Sequence, residues 1–157
     1  MHAAFQGHID IIKLLLNAGA NPGFTTDEGY TAWDLARVNT RDEFATLAYL
    51  NAKREAAALL EQFPILQKQL FDAVEQWDVA TIKSTLSQNI VSINTRNTNN
   101  NTPLHHAVCT NNPEMVTFLL SQGATESAHI KNNAGKTPID LAVGTDIMPI
   151  LLSSIMN

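Results

Sequence analysis

The phrase TPLHHAV at residues 102–108 returns as TPIDLAV at 137–143, 35 residues on. Recurrence at such a step constrains a fold more than composition does, because periods of roughly 20–50 residues mark stacked repeats. Further landmarks extend the series. Small residues able to sit in tight helix contacts stand at Ala3, Ala36, Ala73, Ala107 and Ala142, at spacings of 33, 37, 34 and 35. Each is followed by an apolar segment: IIKLLL (11–16), FATLAY (44–49), TIKSTL (81–86), MVTFLL (115–120) and IMPILL (147–152). Their starts lie 33, 37, 34 and 32 residues apart. Two independent landmarks that keep one step define a repeat architecture.

Each unit reads as two short helices. The first carries the small residue, as in LHHAVC; the second places apolar residues at helical spacing, for example Ile11, Ile12, Leu15 and Leu16. Turn formers separate the units: NAGANPG, TTDEG, NTNNN and KNNAG. The asparagine-dense NTRNTNNNT (94–102) could be a low-complexity tract, but its place between two patterned segments favours a turn. One helix pair is too small to bury its own apolar face. Stacked neighbours supply the missing cover, which makes a quasi-linear solenoid.

These residues resemble the ankyrin-repeat family. Its Thr-Pro-Leu-His-x-Ala phrase stands intact at Thr102, Pro103, Leu104, His105 and Ala107, and AAFQGHIDIIKLLLNAGAN (3–21) matches the helix-turn-helix body. EGYTAWDLA, GKTPIDLA and SQGA add further pieces. HEAT-type repeats, at about 40 residues or more, and tetratricopeptide repeats fit less well. The resemblance implies an all-α solenoid of about five stacked helix-turn-helix units forming one domain, 1–157, with units near 1–23, 24–51, 64–94, 95–128 and 129–157. The chemistry of the phrase agrees. Thr can cap the first helix and Pro tolerates its first turn. Leu104 and Ile139 should point inward, Gly19 and Gly123 should end second helices in the left-handed region, and Gly29, Asn100 and Gly135 should make the turn before the next unit.

The pattern departs before the third unit. Residues 52–63, in the stretch AKREAAALLEQFP, are rich in Ala, Leu and Glu without Gly and should form a helical insertion, which Pro64 ends or from which it starts the next helix. Two arrangements fit: a continuous stack with an insertion of four net residues, or two blocks broken here. The small excess favours the continuous stack. The first unit begins inside its first helix, so its apolar side lacks an N-terminal neighbour: the chain belongs to a longer one, or another surface covers that edge. The last unit is shortened around Pro149, and Asp146, Ser153, Ser154 and Asn157 give it the polarity of a cap.

Composition narrows the partners. The net charge of −5, with ten scattered Lys and Arg, argues against nucleic acid and against a polybasic membrane patch. The start MHAAFQGHID lacks a signal-peptide pattern, and Cys109 stands alone, which suits a reducing, cytoplasmic setting. The five histidines show no zinc spacing, so no metal or other cofactor is expected. His105 and Cys109 share a helical face, but no orienting third group accompanies them. Asp34 and Asp140 occupy the slot of His105 and read as packing variants, not as a carboxylate pair. Trp33 replaces the buried Leu of the phrase and reads as core. Trp77 lies between two helices, balanced between packing and contact.

Ankyrin repeats bind proteins without chemistry, so the resemblance implies a non-catalytic scaffold that meets a partner protein on a concave face of turn tips and first helices. Carried over residue by residue, this gives Phe5 and Gln6 in the first unit. Asp27, Glu28, Tyr30, Val38 and Asn39 follow in the second. Glu75 and Gln76 belong to the third, and Thr98, Asn99, Asn101, Cys109 and Thr110 to the fourth. Asn133, Ala134 and Lys136 complete the set. Two alternatives remain open. The chain could be a targeting part of a larger enzyme or of a bacterial effector delivered into a host cytosol, or it could self-associate through its uncapped N-terminal edge.

Overall fold

A computed structural model describes residues 1–38 and 46–156. The chain divides into two compact units, Met1–Leu66 and Gln67–Asn157. The first holds α1 (His2–Gln6), α2 (Ile9–Asn17), α3 (Ala32–Arg37) and the start of α4 (Leu47–Glu75). The second holds the end of α4, then α5 (Val79–Ser87), α6 (Pro103–Cys109), α7 (Pro113–Ser121), a 3₁₀ turn at Ala124–His129, α8 (Pro138–Leu141) and α9 (Met148–Ile155). Among the described residues the sole extended pairing is an isolated bridge between Thr25 and Thr31. The all-α helix-turn-helix pattern expected from the repeat is observed.

In the first unit α1 packs on α2 and α3, sealed by Ala4, Ile12, Leu16, Ala32 and Ala36. Ala3, expected at that contact, is half-buried, and its neighbour Ala4 takes the tight position. Gly7 turns the chain from α1 to α2 at φ 74°, and a Cβ there would meet the backbone carbonyl carbon and Cβ of Ala52 at 3.0 Å. The start of α4 therefore lies against a site that only glycine fits. In the second unit α6 packs on α7 and α8, and α7 packs on α9. Leu70, Val74, Ile82, Leu104, Val116, Leu119, Ile147 and Leu151 are sealed from solvent there.

Three expectations need correction. Pro64 neither ends nor starts a helix: α4 runs through it for 29 residues. Proline removes one backbone donor, but Pro64 is exposed, so the carbonyl of Leu60 that would have accepted can turn to water. Leu59, Leu60, Phe63, Leu66 and Leu70 are all buried along the helix, and that burial outweighs the break. The second helix expected at 44–49 is not separate. Residues 44 and 45 lie outside the described residues, and Leu47–Tyr49 form the first turn of α4. Trp33 is only half-buried, with the Arg37 guanidinium 4.4 Å over its ring. In the last unit Asp146 and Ser153 are exposed beside Val143 and Leu152, while Asn157 lies outside the described residues.

Candidate functional site

Three turns share one design, at residues 26–30, 97–101 and 132–136. In each, the first residue donates its N–H to the carbonyl of the fifth: Thr26 to Tyr30 at 2.9 Å, Asn97 to Asn101 at 3.0 Å and Asn132 to Lys136 at 2.9 Å. The fourth residue closes the loop in the left-handed region: Gly29 at φ 85°, Asn100 at 58° and Gly135 at 72°. The first residue's side-chain oxygen then satisfies the tip. Thr26 Oγ1 accepts from Tyr30 N, Asn97 Oδ1 from Asn99 N and Asn101 N, and Asn132 Oδ1 from Ala134 N and Lys136 N. The asparagine-dense stretch is thus an ordered turn because each amide replaces a missing backbone partner.

In the second unit two of these turns are bonded to each other. Asn132 Nδ2 donates to Asn101 Oδ1 at 2.9 Å, and Asn100 Nδ2 donates to the Lys131 carbonyl at 2.7 Å. Asn133 donates its backbone N–H to Asn99 O at 3.0 Å and its side-chain amide to Thr98 O at 3.2 Å. His105 lies beneath, buried. Its Nδ1 accepts the Thr102 N–H at 3.0 Å, so the ring proton sits on Nε2, which donates to the Lys136 carbonyl 3.2 Å away. Burial pushes this histidine below its ordinary pKa and keeps it neutral.

The same slot holds Asp34 and Asp140, and the structure gives these a capping role. Thr31 Oγ1 accepts the Asp34 N–H at 3.2 Å while Asp34 Oδ2 accepts the Thr31 N–H at 2.9 Å. Thr137 and Asp140 exchange the same pair at 3.1 and 2.9 Å. These bonds from threonine hold both carboxyls below the ordinary aspartate range.

The candidate contact residues fall into two sets, one per unit. In the first unit Asp27, Glu28 and Tyr30 are exposed at the turn, and Tyr30 is 46 % exposed. Phe5 and Val38 have internal duties. The Phe5 ring lies 4.7 Å from Lys53 Nζ, its carbonyl accepts from the Tyr49 hydroxyl, and Lys53, itself buried, donates to the Val38 carbonyl. Gln6 is half-buried, and Asn39 lies outside the described residues. In the second unit Thr98, Asn99, Asn133, Ala134 and Lys136 are exposed on the joined turns, whereas Asn101 is half-buried by its bond to Asn132. Gln76, Cys109 and Thr110 are exposed at helix ends, and Glu75 Oε1 meets His106 Nδ1 at 3.0 Å. Both nitrogens of His105 are engaged elsewhere, so the ring is not available to Cys109 as a base.

Sequence reasoning missed the anchors of this surface: Thr26, Asn97, Asn132, Lys53 and His106. A signal existed for two of them, since Asn97 and Asn132 repeat at the 35-residue step of Thr102 and Thr137. No helix among the described residues is long and apolar enough to cross a membrane.

The family model described as ankyrin repeats (3 copies) matches residues 70–157, and that for a single ankyrin repeat matches 1–27. Among known proteins, one of Danio rerio named as the palmitoyltransferase ZDHHC13 is 36 % identical over 141 residues, covering 87 % of this chain and 20 % of that protein. The ankyrin repeat protein FPV240 of fowlpox virus (strain NVSL) is 28 % identical over 124 residues, covering 78 % of this chain and 29 % of its own. Alpha-latrocrustotoxin-Lt1a of Latrodectus tredecimguttatus is 36 % identical over 69 residues, covering 44 % of this chain and 5 % of the toxin. The chain thus spans less than a third of the length of each of these relatives.

Proposed function

The chain belongs to the ankyrin-repeat family, whose repeats are generally protein-binding modules, and we propose that it binds a partner protein without catalysis, through its turn tips and first-helix faces. The observation that carries this reading is the bonding of the tips. Asn97 and Asn132 satisfy the turn backbones internally, and the cross-bonds from Asn100, Asn132 and Asn133 hold one tip to the next. Side chains offered from such turns lose little freedom on docking, which lowers the cost of association. In the first unit the tip presents the exposed side chains of Asp27, Glu28 and Tyr30. In the second it presents amides and the ammonium of Lys136. A partner with hydrogen-bonding groups and a basic patch fits these surfaces. We carry the five unit boundaries over as the repeat spans of one domain.

Lysine-reactive cross-linking of the captured partner tests this. Links should form through Lys131 and Lys136 at the turns, and Tyr30→Ala should weaken affinity about thirtyfold, as loss of a central aromatic does. Links confined to Lys13 and Lys83, on second helices, with Tyr30→Ala silent, would overturn the assignment. The likeness to ZDHHC13 favours such a module serving as the recognition part beside an enzyme.

A second reading rests on α2. Ile11 and Leu15 are 49 % and 44 % exposed, whereas Met115 and Leu119, their equivalents on α7, are buried, and Leu14 beside them is 71 % exposed. This face suits self-association. Light scattering should then show a dimer that Leu14→Glu dissociates; a monomer at all concentrations rules it out.

A further inference from the structure

Trp77 joins α4 to α5 with φ 62°, in the left-handed region where a bulky side chain is an outlier. The equivalent turns use Gly7, Asn111 and Gly144. More than half of Trp77, 59 %, is left open to solvent, and its indole N–H makes no hydrogen bond among the described residues. An exposed aromatic held in a costly conformation, where glycine would serve, points to a use outside the fold.

Its surroundings state what kind of use. In the second unit α4 lies beside α6, through Glu75 and His106, and α5 beside α7, where Lys83 Nζ sits 5.8 Å over the Phe118 ring. α6 lies on α8 and α7 on α9, and the repeat step carries the three inter-helix turns in succession along one edge. That edge is separated from the asparagine turns by the length of a first helix, roughly 10 Å for seven residues. Residues 75–80, 109–114 and 142–147 carry Glu75, Asp78, Glu114 and Asp146, all exposed, and no Lys or Arg. Threonine bonds keep Asp78 ionised, and the nearby cation Lys83 is turned to Phe118. An exposed indole followed directly by Asp78, on a row of turns that carries carboxylates and no Lys or Arg, is complementary to a cationic side chain.

We propose that this edge is a second docking surface, distinct from the turn tips, for a basic peptide segment of a partner protein, with an arginine stacked on Trp77. Calorimetric titration of the intact chain with octa-arginine tests it, with octa-glutamate as the control. Octa-arginine should bind in a salt-dependent manner and octa-glutamate should not. Trp77→Gly, which supplies the residue the turn prefers and so preserves the fold, should weaken binding about fivefold. Glu114→Gln should weaken it less, and Glu126→Gln, on the 3₁₀ turn, should leave it unchanged. Equal affinity in Trp77→Gly and the parent overturns the proposal, as does absence of binding. So does a loss that follows Tyr30→Ala and not Trp77→Gly, which would place the basic segment on the turn tips and leave that reading intact.

Discussion

At the turn between a unit's two helices, the same left-handed backbone carries different costs. Gly7 and Gly144 adopt it freely and Asn111 with little strain, whereas a bulky L-residue pays about 1–2 kcal/mol. Trp77→Gly should relieve that strain but give up the covered part of the indole and cost backbone entropy, so the urea midpoint should stay within about 1 kcal/mol of the parent at unchanged slope. Gly7→Ala should destabilise the chain outright. It adds left-handed strain to a 3.0 Å approach by Ala52, for a loss of about 2–4 kcal/mol. Placement of Trp77 between helices was legible from the repeat. Its backbone angle was not, because only the turn geometry demands it. Asp34 and Asp140 are legible as a slot that suggests packing, whereas the structure uses both as caps. Their spacing of three from Thr31 and Thr137 is the capping signature, and the resemblance drew attention to the histidine instead.

The long helix α4 shows where pattern reading stops at the scale of an element. Composition marked 52–63 as helical, and helix it is. Pro64 reads as a boundary because proline breaks a helix interior, yet apolar residues on both sides are buried and carry the helix across. Pro64→Ala should accordingly raise thermal stability, by about 1–3 kcal/mol, since it restores a hydrogen bond within an existing helix. A fall or no change in melting temperature would mean that Pro64 starts a helix. Leu59→Asp, which puts a charge at a buried position, should cost about 2–4 kcal/mol.

For the molecule as a whole, acid should act in two stages. His105 has its pKa lowered by burial, so its contribution is complete above the unfolded value of about 6.5 and is lost as pH falls through the folded one. Asp34, Asp78 and Asp140 are lowered by threonine bonds, so theirs is complete above about 3.9 and fades below it. Melting temperature should thus hold above neutrality, decline from about pH 6.5, and fall again below about pH 4. His105→Asn should flatten the first decline and leave the second. Leu119→Ala, at a sealed core position, should lower the whole profile by about 2–5 kcal/mol without changing its shape. The period, the helix pairs and the exposed tips were all legible in the sequence. The hydrogen bonds that join one tip to the next were not, because they depend on which amide faces which carbonyl across 31 to 35 residues of chain.

The bonds between asparagine turns bear on how such a chain can change length. Asn97 and Asn132 do the same work 35 residues apart, and each is followed five residues later by a threonine that opens a helix. Excision of residues 97–131 would bring Asn132 directly after Arg96, where Asn97 had stood, with its own turn and helix start attached. A duplicated segment of that length would likewise extend the ladder by one rung. A gain or loss of one residue within a turn would instead misalign amide and carbonyl on both sides. Inheritance by whole units is thus compatible with this hydrogen bonding, and drift by single residues within the turns is not.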